Sequence, residues 1–164
     1  MMNTAQLCSE MVKIKTENPP GDTRDCAEFA GAFLESIGIP VSYTTGPAGQ
    51  TNVYSKNQSG ALLLLGHIDV VPAIADGWEY PPYSGEIDET YVHGRGATDM
   101  KGGCAALLSA LAETQDRGVE APVSVALVCD EEGGGKWGTR HLLAEKILHP
   151  SDCLIAEPTP AHAP

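Results

Sequence analysis

The run Ala61-Leu62-Leu63-Leu64-Leu65-Gly66-His67-Ile68-Asp69 opens with five consecutive apolar residues, then meets a glycine, an imidazole and an acid. An extended chain points successive side chains to opposite faces, so such a run buries both faces and belongs inside a sheet covered by helices on each side. Downstream, Val123 to Cys129 is the strongest strand, and a last strand, read as buried, covers Cys153 to Ala156. Upstream, Val41 to Thr45 and Asn52 to Lys56 flank the turn cluster Gly46-Pro47-Ala48-Gly49. Helical spacing predicts helices over 4–16, from residue 22 or 23 to Ile37, over 100–117 and over 139–146, with a weak hairpin from Gly85 to His93. Strands interleaved with helices mean an α/β layered sheet flanked by helices.

The chain has 164 residues, 42% of them hydrophobic, with 18 glycines and 12 prolines, which fits one domain able to bury a core. Ten Lys and Arg against 22 Asp and Glu give a net charge of −12 with no basic stretch, so nucleic acid and anionic membrane are excluded as partners. The longest apolar run falls far short of the about 20 residues that cross a bilayer. Residues 1–17 place charges where a signal peptide is apolar, and a soluble, cytoplasmic protein is expected. Cys8, Cys26, Cys104, Cys129 and Cys153 contain no C-x-x-C pair and read as small buried hydrophobes.

The chemistry lies where strands end. His67 and Asp69 close the first buried strand, and H-x-D reads as a metal ligand followed by the carboxylate that orients it; a loop histidine beside a capping acid is the plain alternative. Asp130-Glu131-Glu132 closes the second, and three adjacent carboxylates after a buried strand are costly near the interior without a cation, a solvated acidic turn being the plain alternative. Glu157 closes the third, before Pro158. Gly94-Arg95-Gly96-Ala97-Thr98-Asp99 resembles a dinucleotide fingerprint, but Asp99 replaces the third glycine and would repel a pyrophosphate. Gly135-Lys136 is no phosphate loop, since Trp137 stands where Ser or Thr is required. Ligands of open α/β sheets bind outside the carboxyl ends of the strands, so His67, Glu131, Glu132 and Glu157 are expected on one edge, with Asp99 able to join. One imidazole among carboxylates suits Zn, Mn or Co in a hydrolytic centre, and two ions roughly 3.5–4 Å apart would neutralise this many acids.

Gly66-His67-Ile68-Asp69-Val70-Val71-Pro72, the stretch from Gly94 through Asp99 to Gly103, Asp130-Glu131-Glu132 and Glu157-Pro158-Thr159 resemble, in order and approximate spacing, the motifs of the di-zinc aminoacylase-type metallopeptidase family. That family includes acetylornithine deacetylase, succinyl-diaminopimelate desuccinylase and glutamate carboxypeptidase. The resemblance implies a di-zinc exopeptidase-like catalytic domain that cleaves an N-acyl amino acid or small peptide with a water activated between two zinc ions. It implies that Asp99 bridges the ions, His67 and Glu157 hold one, Glu132 holds the other, Glu131 is the base, Asp69 orients His67, and the peptide after Asp99 is cis. Family members continue past this point into a lid and dimerisation domain and return with a second histidine, a role His162 does not match. Residues 1–164 are therefore expected to be the N-terminal catalytic-domain segment of a truncated member, with an exposed apolar sheet edge and dimerisation reserved for the full-length form. The alternative is a catalytically incompetent fragment that binds metal and needs a complementary chain.

Overall fold

The computed structural model describes residues 2–57, 62–74, 76–119 and 122–159, so Ala61 and His162 lie outside the described residues. In chain order the elements are α1 (Thr4–Lys13), α2 (Arg24–Ser36), β1 (Val41–Thr45), β2 (Thr51–Ser55), β3 (Leu62–His67), β4 (Glu86–Ile87), β5 (Val92–His93), α3 (Lys101–Asp116), β6 (Val123–Val128), α4 (Thr139–Ala144) and β7 (Asp152–Ile155). Five strands form one sheet in the order β1-β2-β6-β3-β7, and β4 pairs with β5 in a separate hairpin.

β3 lies inside the sheet, as its unbroken apolar run requires. It pairs in parallel with β6, Leu62 opposite Val123 through His67 opposite Val128, and on its other side in parallel with β7. Leu64, Val125 and Leu127 face a core built with Leu7, Met11, Leu34 and Leu108 of the first three helices. Leu63, Leu65, Ala126 and Val128 face the opposite way, onto Leu142 of α4 and Leu148. Each fully buried leucine contributes about 1.5–3 kcal/mol, and the two-sided burial fixes which rim of the sheet carries the carboxyl ends of β3, β6 and β7. The path from β3 through α3 to β6, then through α4 to β7 beyond β3, brings all three ends to that rim.

Two expectations need correcting. The first helix stops at Lys13, short of Thr16. Thr16 and Asn18 are drawn into extended pairing beside the chain leaving β3: Val70 N–H donates to Thr16 O (3.0 Å) and Asn18 N–H to Val70 O (2.8 Å). The last strand is not buried: among the described residues β7 has a strand partner only on its β3 side, every residue in it is exposed, and Cys153 is exposed with it, whereas the other four cysteines are buried. Leu154 and Ile155 are thereby left open to solvent, an apolar edge of the kind expected. Among the described residues no helix is long and apolar enough to cross a membrane.

Candidate metal centre

His67, the last residue of β3, is only 2% exposed. Its Nδ1 lies 2.9 Å from the backbone oxygen of Asp69, which can only accept, so Nδ1 carries a hydrogen and Nε2 is turned to the rim. Around Nε2 stand Asp99 Oδ1 at 3.0 Å, Glu157 Oε1 at 3.4 Å and Glu131 Oε2 at 3.8 Å. These carboxylates come from the loop before α3, the end of β7 and the end of β6, far apart in sequence. His67, Asp99 and Glu157 each offer a ligand atom within 4.8 Å of the others; His67, Glu131 and Glu132 form a second such group. One buried imidazole nitrogen with several half-open carboxylate oxygens fits a zinc, manganese or cobalt ion better than any purely protein arrangement of the same charges.

Asp69 sits differently from what the strand pleat suggests. The strand ends at His67, the Asp69 carbonyl takes the imidazole hydrogen bond, and its carboxylate stays 3.5 Å from Nδ1. The fully buried carboxylate points instead at the next strand's loop: Oδ1 accepts from Glu131 N–H (3.0 Å), Oδ2 from Glu132 N–H (3.1 Å). One residue therefore sets the histidine through its backbone carbonyl and the two glutamates through its carboxylate. Asp130, the first of the three adjacent acids after β6, turns inward in a left-handed conformation (φ 62°) and accepts from Trp137 N–H at 3.0 Å. Asn18 donates to Asp69 Oδ2 (2.9 Å) and Asp130 Oδ1 (3.2 Å). Its Asn18-Pro19 signal marks only a helix stop in the sequence.

The Asp99 loop is anchored from below. The Asp99–Met100 peptide is cis. Lys101, completely buried, donates from Nζ to Met11 O (3.0 Å) and Ile14 O (2.8 Å), tying the start of α3 to the end of α1. A Cβ on Gly103 would run into the Ala156 carbonyl, so glycine there lets α3 approach the end of β7 and hold Glu157 near His67.

Charge at the rim is poised for a cation. Burial opposes the His67 imidazolium, but the hydrogen bonds and charge of Asp69, with the charge of Glu157, raise it to about 9. Burial, then the negative charges of Asp99 and Glu131, push Glu132 and Glu157 upward against the opposing His67. Asp69 is held low: burial raises it, but the neighbouring His67 and the hydrogen bonds from Asn18 and the Glu131 amide outweigh that.

The sequence profile of peptidase family M20/M25/M40 matches residues 63–163, the stretch that carries every one of these rim groups. The chain belongs to that family. This M20-family chain is 35% identical to a succinyl-diaminopimelate desuccinylase of Sulfurimonas denitrificans over 96% of its own length and 43% of the relative's. It is 40% identical to one of Methylobacterium nodulans, over 81% of its length and 36% of the relative's. The chain thus spans less than half the length of these relatives. Its fold matches that of an M20 metallo-carboxypeptidase from Sulfolobus solfataricus with a TM-score of 0.75 at 24% identity, covering 95% of this chain and 37% of that one. A di-peptidase from Saccharomyces cerevisiae gives a TM-score of 0.75 at 22% identity, covering 93% and 37%.

Proposed function

We propose that residues 1–164 form the metal-holding segment of the catalytic domain of a zinc-dependent amide hydrolase acting on an N-acyl amino acid or small peptide. The observation that carries this is the meeting of three carboxylates from three elements around His67 Nε2. His67 and Glu157 would hold one ion, Glu132 a second, and Asp99 would be shared between them. When bound, zinc polarises a carbonyl and lowers the pKa of water. Glu131, whose side chain is 54% exposed, takes the proton from the attacking water and returns it to the leaving amine. Asp69 holds the His67 tautomer through its carbonyl and the Glu131 and Glu132 amides through its carboxylate. The desuccinylase relatives favour an N-succinyl amino acid as the substrate.

The test is amine release from N-succinyl-diaminopimelate by the zinc-loaded protein, wild type against Glu131→Gln. Loss of a general base lowers the rate by about 10²–10⁴-fold while zinc binding stays. Undiminished hydrolysis by the variant sinks the assignment of Glu131. The openness of the rim, with the Asp99 side chain 56% exposed, favours a second reading in which this segment holds metal but turns over only with a complementary polypeptide closed upon it. Tight zinc binding by calorimetry without amide turnover supports that reading, and turnover excludes it.

A further inference from the structure

We infer that Asn18 is a positioning residue for the metal centre, its side-chain amide clamping the Asp69 and Asp130 carboxylates so that the chain ends after β3 and β6 present their ligands to one point. A carboxamide carries two N–H hydrogens, and Nδ2 of Asn18 lies 2.9 Å from Asp69 Oδ2 and 3.2 Å from Asp130 Oδ1. Both carboxylates are out of water, at 0% and 7% exposure. Two acids so enclosed repel each other and need donors. Asparagine supplies one hydrogen to each without adding charge, which leaves the negative charge of the rim available to a cation.

The clamp reaches the ligands through the backbone. Asp69 belongs to the turn that holds His67 and grips the amides of Glu131 and Glu132. Asp130 grips the Trp137 amide across the glycine loop. Pulling the two carboxylates together therefore draws the end of β3 toward the end of β6. Asn18 is itself aimed by its own N–H on Val70 O (2.8 Å) and by the pairing of Glu17 with Val70. Space is reserved for it as well: a Cβ on Gly133 would come to 2.9 Å from Asn18 Nδ2, and one on Gly21 to 3.1 Å from its Cγ and Oδ1.

This rests on the zinc reading above, and the experiment separates the two. Zinc affinity by calorimetry and the visible absorption of the cobalt-loaded protein are compared for wild type, Asn18→Leu and Asn18→Asp, with circular dichroism to show that each is folded. Removing a group that orients metal ligands weakens binding by about 10–100-fold. N18L is expected to fall in that range with an altered cobalt spectrum, and N18D, which puts a third carboxylate beside the other two, to fall further. N18L equal to wild type in affinity and spectrum overturns the clamp alone; no zinc binding by wild type overturns the metal reading and the clamp with it. Should N18L not fold, amide proton exchange in the wild-type protein decides. Slow exchange of both Asn18 side-chain protons supports the clamp, and exchange as fast as a free carboxamide overturns it.

Discussion

A proton and a zinc ion compete for the same lone pair on His67 Nε2, because Nδ1 is committed to the Asp69 carbonyl. The perturbation is pH. With the imidazole raised from 6.5 to about 9, it is almost fully protonated near neutrality, and each zinc ion bound there must expel about one proton. Zinc affinity is then expected to rise about tenfold per pH unit, roughly 100-fold between pH 6.5 and 8.5, and to level off above about 9. Calorimetry in buffers of different ionisation enthalpy reads the proton count directly. The same shift has a signature in stability without zinc. A histidine raised on folding stabilises fully below its unfolded value near 6.5, and that stabilisation, about 3 kcal/mol here, is lost as pH climbs through about 9. Urea unfolding of zinc-stripped protein at the two ends of this window measures it. Affinity that stays flat across the range, with release well below about one proton per ion, would refute the placement of the proton and the ion on one nitrogen.

Gly103→Ala should destabilise by about 1–3 kcal/mol in denaturant and weaken zinc binding, because the new methyl displaces the Ala156 carbonyl and carries Glu157 away from His67. Lys101→Met removes the donor from the Met11 and Ile14 carbonyls and should cost about 1–3 kcal/mol; a rise in stability would mean that burying the ammonium outweighs its two hydrogen bonds. Leu154→Glu with Ile155→Lys should suppress concentration-dependent association in light scattering, since β7 is an edge strand among the described residues and carries exposed apolar side chains, and unchanged association would locate the contact elsewhere.

The interior of the fold was legible because Leu62 to Leu65 of β3 and Val125 to Val128 of β6 are apolar at consecutive positions, as a doubly covered strand is. The end of α1 was not, because Ile14 continues the helical spacing while Thr16 and Asn18 are claimed by Val70, a partner fifty-odd residues away in sequence that no local pattern announces. β7 misled for a related reason: Cys153, Leu154 and Ile155 look like core, but what lies beside a strand is not written in the strand. At the rim, the strand-end rule drew attention to His67, Glu131, Glu132 and Glu157, and the helix start to Asp99, and the fold places all five near one another. It gave no hint that Asp130 turns inward or that the Asp69 carboxylate serves the next strand, since both depend on backbone amides whose direction is set only after folding.

That last arrangement bears on how an ion would arrive. Because the two oxygens of Asp69 close on consecutive amides beyond β6, the loop bearing Glu131 and Glu132 is stapled to the histidine's turn before any guest appears. Capture should then demand little reshaping of the chain, and its speed should be governed by shedding water from the cation and the open carboxylates, as in a socket already cut to shape.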